Sequence, residues 1–175
     1  MNFCFRFLAL AERQHRMISA LLGAVIVLLA TGYWGYDKCK KEKEALMILQ
    51  GLVSFCDYTE MHIRLFRTPL YDIFEKFSDE YLEDIGFISC LRSGKRDDAL
   101  NSVSTLLHES GVKVLEEFLL QIGTGYEEDQ RALCVYTSEQ LRSIEKDLRE
   151  KLPQKLRMYK LLPILLACSV IILLI

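Results

Sequence analysis

The chain has 175 residues, with 22 Lys and Arg against 24 Asp and Glu and a formal net charge of −2. That length allows about one domain, less any membrane-embedded ends. The six cysteines (Cys4, Cys39, Cys56, Cys90, Cys134, Cys168) are widely spaced and form no C-x-x-C pair. This pattern argues against a disulfide scaffold or a zinc ribbon and for small apolar packing residues.

Residues 1–16 carry Arg6 and Arg13, with Arg16 at their end. They read as an N-terminal extension, either disordered or lying ahead of a true start at Met17. Residues 17–36, "MISALLGAVIVLLATGYWGY", contain no charge. As a helix of about 20 residues this run reaches ~30 Å, the thickness of a bilayer's hydrocarbon core. Tyr33, Trp34 and Tyr36 mark its exit with rings suited to the membrane–water interface. A signal peptide is the rival reading, with small Ala30 and Gly32 near a cleavage position. Bulky Tyr33 and Trp34 follow at once, however, and an uncleaved transmembrane helix is expected. Small residues four apart (Ser19/Gly23, Ala20/Ala24, Thr31/Gly35) would let another helix approach closely.

Residues 37–160 form the polar body. Between positions 44 and 150 there are 21 acidic and 11 basic side chains, a balance of −10. Lys38, Lys40, Lys41 and Lys43 precede this stretch, and Lys151, Lys155, Arg157 and Lys160 follow it. Such a body repels nucleic acid and anionic lipid, while its basic flanks suit headgroups. Both basic clusters belong to the middle segment, so the middle is expected on the cytoplasmic side.

The body reads as helix throughout. Leu46, Leu49, Val53, Cys56 and Ile63 keep helical spacing, widened by Ile48, Leu52 and Phe55, with Asp57, Glu60, Arg64 and Arg67 on a solvated face. In "RTPLYDIFEKF" Thr68 is expected to cap, Pro69 to take the first helical position, and Leu70, Ile73, Phe74 and Phe77 to face the core. Ser78 is expected to open a helix with Leu82, Ile85, Ile88 and Leu91 that stops at Ser93-Gly94. A fourth helix with Leu100, Val103, Leu106 and Leu107 is expected to end at Gly111. A fifth carries Leu115, Phe118, Leu119 and Ile122 and ends at Gly123. In "GTGYEEDQ", Thr124 and Glu127 stand in capping-box spacing, and Glu127, Glu128 and Asp129 place negative charge at the positive end of a long last helix. That helix shows a seam of Leu133, Leu141, Ile144, Leu148 and Leu152, with a bend allowed at Pro153. Residues 161–175 are apolar but short for a crossing, at ~23 Å of helix, and read as a second, short transmembrane segment. The fold class is therefore all-α, an antiparallel bundle of about six helices with a membrane segment at each end.

Signatures of catalysis are missing from the spacing. "SGKRD" around Lys95 lacks both the first glycine and the Ser/Thr of a phosphate loop. His108-Glu109 has no second histidine. Glu116-Glu117 and Glu127-Glu128-Asp129 read as solvated helix faces and starts. No catalytic residue, metal ligand or cofactor-binding residue is expected. His62 leaves one alternative open, a small membrane-anchored signalling protein with a histidine phosphoacceptor.

In order along the chain, "LLGAVIVLLATGYWGY" and its lysine-rich sequel, "RTPLYDIFEKF", "QIGTGYEEDQ" and the apolar tail resemble the stage III sporulation protein AB family. The resemblance covers about residues 17–175. Its most specific positions are Thr68, Pro69 and Leu70, then Gly123, Asp129 and Gln130. The chain departs from it in residues 1–16 and at position 62, where an acidic residue is expected in place of histidine. The resemblance implies a membrane protein of endospore-forming bacteria, in the mother-cell membrane around the forespore. It implies a non-enzymatic platform of a secretion-like channel, similar in its cytoplasmic domain to the platform proteins of type II secretion and type IV pilus machines. The implied partners are membrane lipid, an ATPase like stage III sporulation protein AA, other channel membrane proteins and further copies of the chain. Glu127, Glu128 and Asp129 are the candidate partner-facing acids.

Overall fold

A computed structural model describes the backbone of residues 2–174 and the side chains of residues 23, 25, 26, 29–159, 161, 162, 164–166 and 169. The described residues are all-helical, in seven helices: α1 (Asn2–Phe66), α2 (Leu70–Lys76), α3 (Glu80–Asp84), α4 (Phe87–Arg92), α5 (Arg96–Ser104), α6 (Glu109–Gln121) and α7 (Glu127–Leu174). They divide into two compact units, residues 41–152 and residues 1–40 with 153–175. α1 and α7 contribute to both.

The unit of residues 41–152 is organised around one ring. Phe55 of α1 is fully buried. Its centroid lies 5.5 Å from Phe74, 5.2 Å from Phe77, 5.9 Å from Phe87 and 6.2 Å from Phe118. One side chain thus joins α1 to α2, α4 and α6, mostly edge-to-face, the arrangement that aromatic quadrupoles favour. The expected core face of α1 is in place, with Ile48, Leu49, Leu52, Val53, Cys56 and Ile63 buried. So is that of α6, with Leu115, Phe118 and Leu119.

On the opposite face of α1, Arg64 and Arg67 are exposed as expected, whereas Asp57 and Glu60 are partly covered by α7. Glu60 receives the Arg131 guanidinium at 3.0 Å, Gln50 donates to Glu145 at 3.0 Å, and Arg142 pairs with Asp57. Numbers falling along α1 meet numbers rising along α7, so the two helices run antiparallel here. α7 buries Cys134, Thr137, Ser138, Leu141 and Leu148, a stripe at helical spacing that includes two hydroxyls absent from the expected seam.

The helix expected from Ser78 to Leu91 is two helices, so the body holds seven where six were expected. Asp79, not Ser78, caps α3 by accepting from the Leu82 N–H at 3.0 Å. Gly86 then takes φ 81° and breaks the run, a conformation that costs a side chain but not glycine. The expected stop at Ser93-Gly94 is present, and Gly94 and Lys95 bond back to Leu91 and Cys90 as a Schellman turn does. Gly111 stops nothing. α5 ends at Ser104, and Gly111 is buried in the first turn of α6, where an added Cβ would sit 3.8 Å from Leu49 and Leu107.

In the unit of residues 1–40 and 153–175, Gly35 lies so close to α7 that a Cβ there would stand 2.9 Å from the Tyr159 carbonyl oxygen. Trp34 meets Tyr159 edge-on at 6.0 Å, and the Lys38 ammonium sits 6.0 Å from the Trp34 ring. Val25, Ile26, Leu29, Tyr33, Tyr36, Leu161, Ile164 and Leu165 are exposed. Among the described residues no helix is long and apolar enough to cross a membrane. The side chains of residues 1–16, and about half of those in the expected spans 17–36 and 161–175, lie outside the described set.

Candidate docking surface

The two motif stretches of the sequence, 68–70 and 123–130, are local devices for ending one helix and starting the next. α1 stops because Arg67 turns to φ 46°, a left-handed conformation, and returns its N–H to the Ile63 carbonyl at 3.3 Å. This bond is the αL form of a helix C-cap, usually made by glycine, and the Thr68 N–H adds a second by donating to the His62 carbonyl at 3.4 Å. Thr68 does not cap α2 as expected. Its hydroxyl instead stands 3.5 Å from His62 Nδ1. Pro69 takes the cap position, and its carbonyl accepts from the Ile73 N–H at 3.2 Å.

The turn between α6 and α7 also departs from expectation. Gly123 and Gly125 sit at φ 86° and 95°, which carries Thr124 back toward α6, where its hydroxyl donates to the Gln121 carbonyl at 2.6 Å. Thr124 therefore makes no capping box with Glu127. Gln130 does the bridging instead. Its Oε1 accepts from the Gly123 N–H at 2.9 Å and its Nε2 donates to the Thr124 carbonyl at 2.9 Å. Arg96 closes the α6 end by donating to the Leu119 carbonyl at 3.1 Å, a cation at a helix C-terminus.

The fold brings the two stretches together. A Cβ on Gly123 would lie 3.3 Å from Leu70, and the Arg67 guanidinium lies 3.6 Å from Glu127. Between them is an open cleft of about 250 Å³ lined by Ile63, Arg67, Thr68, Leu70, Gly125, Glu127 and Gln130. Of the residues singled out from sequence, Thr68, Leu70, Glu127 and Gln130 line it and Gly123 abuts Leu70. Pro69 and Asp129 are exposed beside it. Glu128 lines a separate shallow groove with Arg131, Val135, Tyr136 and Glu139 and lies 3.9 Å from Arg131.

Next to residues that line the cleft, large apolar side chains stand in the open: Phe66 is 64% exposed, Tyr71 64% and Tyr126 84%, while Leu65, 59% exposed, falls on the far side of α1 from Ile63. The sequence reading missed all four. Their signal was available, since Leu65 and Phe66 fall where the core stripe of α1 has ended and Tyr126 sits between a glycine and two acids. Arg67 falls on the expected solvated face of α1, with nothing in its spacing to mark it as the helix stop.

His62 is half-buried, with its ring centroid 4.3 Å from Tyr58 and 5.3 Å from Phe66. Cys56 and Cys134 are buried in the core. Burial pushes the Cys134 thiol up to about 12, helped by Glu60, and raises Cys56 well above its ordinary value. Thiols so protonated are poor nucleophiles. Among the described residues no three His, Cys, Asp or Glu side chains are grouped to hold a metal ion.

The family model described as stage III sporulation protein AB matches residues 20–91 and 96–175. Searches of curated proteins and of solved structures found no match.

Proposed function

Because the chain belongs to the stage III sporulation protein AB family and so has a sporulation-related role, we propose that it is a non-enzymatic membrane platform of a secretion-like channel between mother cell and forespore. In this reading the bundle of residues 41–152 lies in the mother-cell cytoplasm and docks a secretion-type ATPase like stage III sporulation protein AA. Nucleotide hydrolysis is then supplied by the partner. The observation that carries the reading is the convergence of the two motif stretches on one exposed surface. Their polar groups are spent on ending and starting helices, and what they present outward is aromatic, aliphatic and acidic surface suited to a protein partner.

Two further observations support it. The exposed apolar side chains of residues 25–36 and 161–166 suit lipid contact and leave residues 1–40 and 153–175 as the anchor. The core thiols are protonated and His62 is packed between rings, which weighs against a nucleophilic enzyme and against the signalling alternative. The test is co-purification of the ATPase with the full chain from detergent-solubilised membranes. Reversal of Glu127, Glu128 and Asp129 to lysine is expected to abolish recovery, while glutamine at the same positions reports the cost of losing charge alone. Full recovery with the lysine variant removes the reading.

A further inference from the structure

We infer that the end of the bundle formed by residues 65–72 and 123–131 is the binding surface for a basic protein segment bearing an aromatic or aliphatic anchor, which seats among Phe66, Tyr71 and Tyr126. The inference rests on the platform reading and specifies the surface and the chemistry of the segment that reading leaves open.

Phe66, Tyr71 and Tyr126 at one end of the bundle are costly to leave uncovered, and exposed apolar patches of this kind mark interaction sites. Two of the most exposed are tyrosines, a residue type over-represented at the centres of protein interfaces. The local charge selects the occupant. Residues 65–72 and 123–131 hold four carboxylates, Asp72, Glu127, Glu128 and Asp129, against two guanidiniums, Arg67 and Arg131, and Arg96 brings a third guanidinium to Gly123, which leaves the surface acidic by one charge. Arg131 is also held by Glu60 at 3.0 Å. A second copy of the chain would set two acidic rims against each other, and anionic headgroups would meet the same sign, so both are disfavoured. A lysine- or arginine-bearing segment is attracted. Arg67, beside Glu127 and itself 83% exposed, acts as a built-in competitor for that partner cation.

Binding of the purified ATPase to the full chain in lipid nanodiscs tests this. Phe66→Ser with Tyr126→Ser is expected to weaken binding about tenfold with unchanged circular dichroism. Tyr81→Ser is the control, because α3 packs near Gly51, ~22 Å along α1 from Phe66. Arg67→Gly suits a left-handed position and is expected to bind at least as tightly as the unaltered chain. Should the serine variant misfold, benzoylphenylalanine at Tyr126 in the otherwise unaltered chain gives the answer by photo-crosslinking. A lysine- or arginine-rich peptide of the ATPase is expected at the crosslink. Crosslinks to an acidic peptide, to lipid or to a second copy overturn the inference, as does weaker binding by Arg67→Gly. Unaltered affinity of the serine variant overturns it while leaving the platform reading intact. No binding by the unaltered chain removes both.

Discussion

Residues 41–152 and the terminal unit use the same side-chain chemistry in opposite ways. Phe55, Phe87 and Phe118 are buried from water altogether, whereas Tyr33, Trp34, Tyr36 and Leu165 face outward. In the first unit, apolar surface is covered by other helices, and its removal from water drives folding. In the second, Val25, Ile26, Leu29, Ile164 and Leu165 stay exposed. Hydrophobicity alone does not distinguish the two uses. In the first unit the apolar faces are accompanied by a polar face that pairs α1 with α7, Glu60 with Arg131 and Asp57 with Arg142.

The largest expected effect separates the two units directly. Phe55→Ala empties the junction of four rings and is expected to destabilise the bundle by about 3–5 kcal/mol in chemical denaturation. Leu165→Ser is expected to leave that transition in place and to reduce retention of the chain in membranes. A comparable loss of bundle stability from both would break the distinction.

Alkali provides a second contrast. The folded-state pKa of Cys134 is raised from 9.0 to about 12, so above pH 9 the unfolded chain sheds a proton that the folded one keeps. The thiol's contribution is fully present below pH 9 and is lost as pH rises toward 12. Stability is therefore expected to fall over that window, less steeply in Cys134→Ala, and maleimide at pH 8 is expected to modify Cys39 and Cys90, both partly exposed, before Cys134. Asp79→Ala, which removes the α3 cap, gives the smallest effect, about 1 kcal/mol by thermal melting.

Much of the core could be read from the sequence because buried faces of helices repeat. Ile48, Leu52, Phe55, Leu115 and Phe118 declare themselves by spacing alone. Helix ends were less legible, since they depend on single backbone choices. Gly86 and Gly111 look alike in sequence, yet one breaks a helix and the other lies inside a first turn, close to Leu49 and Leu107. Thr124 fits a capping box by spacing, but the flanking left-handed glycines turn it toward α6. The pairing of Asp57 and Glu60 on α1 was illegible for a different reason. Glu60 finds Arg131 across 71 positions, and no local pattern reveals that pairing. The docking surface stands between these cases. Its two motif stretches were visible separately, and their meeting was not.

The most direct measurement of the platform reading is the side of the membrane on which the motif end lies. Tyr126→Cys, with Cys4, Cys39, Cys90 and Cys168 replaced by serine, offers one open thiol there for a membrane-impermeant maleimide. Labelling of inverted vesicles but not of intact cells is expected. Labelling of intact cells would place the bundle outside the cytoplasm, beyond reach of any ATPase, and contradict the proposed role.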